Sequence, residues 1–248
     1  MTREELVSYI QNSFLVGRVA DADAVQLSGF ECTEDEEFKR KEIEGSVEFN
    51  GMYFKITDDG KVILEYYAAD YKYLDFGDSV DEISDCAFWY NKTIEELIAP
   101  SVKKIGDGAF RDCTLRHADF ASVTEVGSYC FAYSGIETLH VPMLEVLHDF
   151  VFVGCCKLTE LNLPNVKQMG NCSYAFGLEK FYAPKLDILG KSFFRECISL
   201  HEIYTPNVWM VERGAFCRCY AVMNGGNITL RSDAYIEPLA LEEVIEYE

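Results

Sequence analysis

Long apolar runs, basic residues and catalytic motifs are all scarce in this chain. No stretch approaches the roughly 18–20 consecutive apolar residues that a helix needs to cross a bilayer, so no membrane partner is expected. The opening segment MTREELVSYIQNSFLVG carries acids at Glu4 and Glu5, and its apolar residues are spaced rather than continuous, unlike a secretory leader. Without an export signal the ten cysteines are expected as reduced thiols, in the cytoplasm. The phosphate loop G-x-x-x-x-G-K, the nucleophile elbow G-x-S-x-G and the zinc motif H-E-x-x-H are all missing. The paired C-x-x-C spacings of a structural zinc site are missing too, so neither an enzyme nor a cofactor is expected. Only 22 Lys and Arg stand against 42 Asp and Glu, a formal charge of −20. Such a field repels nucleic acid and anionic lipid, and favours a basic protein partner or plain solubility.

What is abundant is periodicity. An aromatic recurs at Phe88, Phe110, Phe131, Phe152, Tyr174, Phe194 and Phe216, in steps of 22, 21, 21, 22, 20 and 22 residues. Five residues before each stands an aliphatic: Ile83, Ile105, Val126, Leu147, Met169, Leu189 and Val211. Three residues earlier comes a second: Val80, Val102, Val123, Leu144, Val166, Leu186 and Val208. Upstream lies a short alternating stretch, Leu97/Ala99, Ala118/Phe120, Leu139/Val141, Leu161/Leu163, Phe181/Ala183 and Ile203/Thr205. Proline follows it at Pro100, Pro142, Pro164, Pro184 and Pro206. Four columns in one register define a stack of similar coils.

Each column has a physical reading. The alternating stretch is a short strand with two side chains inward and the intervening ones outward. Proline cannot extend a ladder and turns the chain. The two aliphatics and the aromatic fill the coil, and Gly106, Gly127, Gly170 and Gly190 are expected at a tight bend. One repeat buries about six apolar side chains, worth on the order of 12 kcal/mol. Fixing its backbone costs roughly 20–40 kcal/mol. A coil therefore folds only against its neighbours.

The pattern L-x-x-P-x-x-V-x-x-I-G-x-x-A-F-x-x-C-x-x-L resembles the BspA-type leucine-rich repeat, and LIAPSVKKIGDGAFRDCTL (97–115) matches it nearly letter for letter. The resemblance covers about residues 73–223. It implies an α/β solenoid, here a right-handed coil of about seven turns of 20–22 residues with a parallel concave sheet, that serves adhesion and protein binding without catalytic residues. The chain departs from the pattern at Ala121 in place of proline, and at His148 and Glu212 in place of glycine. In the short fifth turn the spacing selects Tyr174, the letters Phe176, and Tyr174 is preferred.

The ends do not repeat. Residues 1–72 read as an N-terminal cap: a helix opened by the capping box Thr2-x-x-Glu5 with Leu6, Ile10 and Phe14 on one stripe, an acidic segment (34–48), and a hairpin turning at Asp59-Gly60. The hairpin would cover the first open coil. Residues 224–248 read as a C-terminal cap, with a strand at 228–230 and Leu239, Leu241, Val244 and Ile245 sealing the end.

If the strands align, one outward column runs Ile98, Asp119, His140, Asn162, Tyr182, Tyr204, and its neighbour Glu96, His117, Thr138, Glu160, Lys180, Glu202. Ile98, Asp119, His140, Tyr182, Tyr204, Glu160 and Glu202 are the candidate partner-binding residues, with Trp209 beside them. The sheet offers roughly 500 Å² and a standard interface needs about 800 Å² per partner, so a flank must contribute. Asp119, His140 and His117 could approach one another, but an open sheet lacks the pocket that catalysis requires. Cys113, Cys155, Cys197 and Cys219, three residues after the aromatic, read as small buried hydrophobes; Cys197 and Cys219 suit a disulfide only in an exported protein. The leading function is a protein-interaction module. The alternatives are an acidic decoy that imitates nucleic acid to block an enzyme, as some phage inhibitors do, and a fragment of a bacterial surface adhesin.

Overall fold

The computed structural model describes residues 46–49, 51–238 and 240. The expected N-terminal helix, most of the acidic segment, and Leu239, Leu241, Val244 and Ile245 lie outside the described residues.

Each coil contributes one rung to three hydrogen-bonded ladders. The first consists of three-residue parallel strands: Tyr73–Asp75, Glu96–Ile98, His117–Asp119 and Thr138–His140 in one sheet, and Glu160–Asn162, Lys180–Tyr182, Glu202–Tyr204 and Asn227–Thr229 in another. The alternation sends Leu97, Ala118, Leu161, Phe181 and Ile203 into the core and leaves their neighbours outside. A turn follows each strand, closed by bonds such as Val102 N–H to Ala99 O and Leu144 N–H to Val141 O. The proline column falls at its second position, where a fixed φ suits the turn; Ala121 is tolerated there because a β-turn accepts most residues.

The second ladder comes from the column expected only to fill the coil. Glu82–Ile83, Lys104–Ile105, Glu125–Val126, Val146–Leu147 and Gln168–Met169 pair in sequence, as do Ile188–Leu189, Met210–Val211 and Tyr235–Ile236. The aliphatics are thus inward residues of real strands, which corrects the single-sheet expectation. The only helix among the described residues is Tyr220–Met223, so the fold is a β-solenoid of about eight coils, not an α/β one of seven. The last strand of the first ladder is Asn227–Thr229, one residue earlier than expected.

The hairpin forms from Met52–Ile56 and Val62–Tyr67, around a loop of Thr57 to Lys61 longer than a two-residue Asp-Gly turn. It joins the second ladder through Ile63 and Leu64, opposite Glu82 and Ile83. Tyr67 stacks on Phe88 at 4.6 Å and becomes the first rung of the aromatic column.

That column runs Phe88, Phe110, Phe131, Phe152 with ring centroids 4.8, 5.3 and 6.0 Å apart. The fifth coil breaks it. Tyr174 and Phe176 are both half-buried and meet edge-on at 6.2 Å, outside the stack, which overturns the preference for Tyr174. The buried Cys172 takes the vacant rung, its N–H bonded to Phe193 O as Phe110 N–H is bonded to Cys130 O. Phe193 compensates for the lost ring: it is buried where other coils place Ala87, Ala109 and Ala215, and packs edge-on against Phe181 and Phe194.

The third ladder links the backbones on either side of this column, for example Phe88 N–H to Ala109 O and Tyr90 N–H to Arg111 O. It needs left-handed residues two before and two after the aromatic. Gly108, Gly154 and Gly214 fill some of these positions, but Tyr90, Tyr129, Tyr133 and Phe150 fill others, with φ between 55° and 59°.

Three of the four repeat glycines serve close approach rather than a bend, while a Cβ on Gly190 would meet nothing nearer than Glu212 at 4.0 Å. A Cβ on Gly106, Gly127 or Gly170 would sit 2.5–2.7 Å from the backbone nitrogen of Asp85, Asp107 or Asp149 and collide with its carboxylate. Those carboxylates accept the N–H of Asp107, Ser128 and Asn171 in the next coil, at 2.7–2.8 Å. His148 and Glu212 are tolerated because the residue below each is Ser128 or Lys191, not aspartate. Glu212 instead accepts the N–H of Lys191 at 2.8 Å.

Candidate functional site

The outward columns of the first ladder fall in the expected register. Asp75, Ile98, Asp119 and His140 are successive partners, as are Asn162, Tyr182, Tyr204 and Thr229. The ladder is interrupted between His140 and Asn162, so the face has two halves rather than one continuous sheet.

In the first half, His140 Nδ1 lies 2.8 Å from Asp119 Oδ1, both well exposed. His117 does not join them; its Nδ1 meets Thr138 Oγ1 at 2.8 Å. Among the described residues no group of three or more metal-ligating side chains converges. Ile98 is half-buried beside this pair. In the second half, the rings of Tyr182 and Tyr204 are stacked, 5.0 Å apart with 4° between their planes, each about 40% exposed. Such a pair is held rigid before any partner arrives. Glu160, Lys180 and Glu202 stand in one row, with Lys180 Nζ 3.9 Å from Glu202. Trp209 is exposed but lies next to Met210–Val211, on the approach to the second ladder.

Along the flank that leads into the first ladder, charges alternate from coil to coil. Lys72 pairs with Glu95 at 3.1 Å, and Glu137 sits between Arg116 at 2.9 Å and Lys157 at 3.2 Å. The two-pronged hydrogen bond from Arg116, then Lys157, holds the Glu137 carboxyl down to about 2.

The four thiols of the repeat column lie inside. Cys113, Cys155, Cys197 and Cys219 are buried and unbridged, and the last three donate to the carbonyls of Phe131, Cys172 and Phe194. No Cys197–Cys219 disulfide is present. Burial pushes Cys113 and Cys155 up to about 12.

A second exposed surface escaped the reading of the sequence. Trp89, Tyr90, Tyr129 and Tyr133 are all exposed around the aromatic column. The missed signal was their place in the repeat: they stand one or two residues from the buried ring, where the pattern asks for no aromatic.

Geometry defines a class of molecule here: a repeat scaffold whose side chains return to the same place every coil, with open outer faces. The profile of the BspA type leucine rich repeat region matches six copies over residues 65–177 and 124–229, and the chain belongs to that family. Among solved structures, the leucine-rich repeat protein of T. pallidum is 22% identical with a TM-score of 0.63, the match covering 71% of this chain and 90% of that one. A leucine-rich repeat protein from Bacteroides ovatus is 18% identical with a TM-score of 0.51, covering 68% of this chain and 57% of that one. These two likenesses concern the fold alone. A search of the curated proteins found no match.

Proposed function

We propose that the protein is a non-catalytic interaction module that holds a protein partner on the outer face of its three-residue strands and the charged flank beside them. The observation that carries this reading is the parallel Tyr182–Tyr204 pair, exposed yet immobilised on strands whose inward side chains are fully buried. Tyrosine on a rigid support binds with little loss of side-chain entropy. The strands are three residues long, so the face is narrow and the flank contributes area. Ile98, Asp119, His140, Glu160 and Glu202 complete the surface, and its carboxylates favour a basic partner.

The nucleic-acid decoy has less support. Many carboxylates are neutralised in pairs, as at Lys61–Glu82, Lys104–Glu125 and Lys167–Glu145, and do not form bare rows. The test is affinity capture from the host at about 150 mM salt with the native chain and a Tyr182→Ala/Tyr204→Ala variant. The native chain alone should retain a protein. Capture by both, or capture that collapses between about 50 and 200 mM salt, would count against the sheet and for electrostatic mimicry.

A further inference from the structure

We infer that the aromatic corner of the first coils is a docking groove for a proline-rich segment with an adjacent Arg or Lys. A groove of about 630 Å³ opens there, walled by Trp89 and Tyr129, floored by Gly108 and Cys86, and edged by Asp107, Arg111 and Ser128. Tyr90 and Tyr133 stand beside it, 63% and 54% exposed.

The backbone gives a reason to treat these rings as selected for display. Tyr90, Tyr129 and Tyr133 sit at φ of 58°, 55° and 57°, a region unfavourable to any residue with a Cβ. Gly108 and Gly154 occupy the same positions in neighbouring coils at φ 60° and 71°, and Cys86, Asp112, Ser192, Glu196 and Arg218 do so in others, so the fold calls for no aromatic there. Tyrosine there opposes the backbone preference and leaves its ring exposed, by 41% at Tyr129 and by more than half at Tyr90 and Tyr133. The rings are also held in place. Tyr129 stacks on Phe150 at 5.3 Å with the Arg111 guanidinium 5.9 Å away, and the Lys92 ammonium lies 4.2 Å over Tyr90.

Spacing selects the occupant. Tyr90 and Tyr133 are two coils apart in one column, with Asp112 between them, as the bonds Tyr90 N–H to Arg111 O, Asp112 N–H to Ala132 O and Tyr133 N–H to Val153 O establish. Two coils at about 4.8 Å each span about 9.6 Å. A polyproline II helix repeats every three residues, about 9.3 Å. A proline at every third position would therefore meet one ring after another without adjustment. Its carbonyls, which make no internal hydrogen bonds, would face the indole N–H of Trp89, the tyrosine hydroxyls and Arg111. Arg111 at the edge of the groove is paired with Asp112 at 3.3 Å, which leaves the Asp107 carboxylate to face a cationic residue next to the prolines.

The test follows Trp89 fluorescence in a Trp209→Phe background while a synthetic peptide of about twelve residues, proline at every third position and arginine at one end, is added. Saturable binding is expected. Tyr90→Gly/Tyr133→Gly should weaken it about tenfold or more while leaving the melting temperature unchanged or raised, because glycine suits the left-handed backbone. Asp107→Asn, which keeps an oxygen to accept the Ser128 N–H, should remove the preference for the arginine-bearing peptide over a neutral one. Tyr182→Ala/Tyr204→Ala should change nothing, which separates this groove from the face proposed above. Equal binding of a glycine-substituted control peptide, saturation by a neutral oligosaccharide but not the peptide, or a glycine variant that melts lower and binds as before would each overturn the proposal.

Discussion

Replacing Phe131 with alanine tests whether the solenoid is held by its ring column. Phe131 is fully buried, with Phe110 stacked on one face at 5.3 Å and Phe152 on the other at 6.0 Å. Buried Phe→Ala changes cost about 3–5 kcal/mol, and the upper half of that range is expected, because three backbone ladders fix the coil spacing and keep the hole from collapsing. The loss falls mid-array, where nearest-neighbour contacts couple the two ends, so unfolding should also become less cooperative. Urea unfolding followed separately through Trp89 and Trp209 reports the two sides of the lesion. The comparison is Tyr174→Ala, which repeat spacing alone would rank as equal. Half-buried and outside the stack, it should cost no more than about 1.5 kcal/mol. Equal losses from the two substitutions, or a Phe131→Ala loss below about 1 kcal/mol, would refute the reasoning.

Gly127→Ala should cost about 1–3 kcal/mol by displacing the Asp107 carboxylate from the Ser128 N–H, whereas His148→Ala, one coil on, should stay within about 0.5 kcal/mol; thermal melts of both decide it. Phe193→Ala should be as damaging as losing a column ring, since it fills the space left at Cys172; a mild phenotype by denaturant titration would contradict that. Cys113 and Cys155 titrate near 12 when folded and near 9 when unfolded, so above pH about 9 the unfolded chain holds fewer protons and stability falls. The slope is on the order of 1.4 kcal/mol per pH unit per thiol up to the folded value, and Cys113→Ala/Cys155→Ala should flatten the stability curve between pH 9 and 11. The Glu137 carboxyl is depressed, so its pairing with Arg116 and Lys157 is intact above the ordinary carboxylate range and is lost as pH falls toward about 2; Glu137→Gln should lessen the acid sensitivity of the melting temperature.

The coil register was legible because four side-chain types recur at fixed offsets, and a stack converts that recurrence directly into aligned strands. Tyr182 and Tyr204 could be paired from spacing for the same reason. The second ladder was not legible: a two-residue strand is too short for alternation to show, and one buried aliphatic reads equally as filler. The fifth coil misled because spacing cannot register a compensating change in the next coil, where Phe193 replaces the ring missing at Cys172. The glycine substitutions at His148 and Glu212 become intelligible only with Ser128 and Lys191 seen beneath them. The aromatic corner was hidden because left-handed backbone, the reason its tyrosines are costly, leaves no trace in composition.

The measurement closest to the central claim is site-specific photo-crosslinking in the native host, with the reactive group placed at Tyr182, at Asn162, or at Gln168 on the second ladder. All three are exposed. One protein adduct shared by the first two positions and missing from the third is expected. An adduct formed from Gln168 with none from Tyr182 or Asn162 would contradict it.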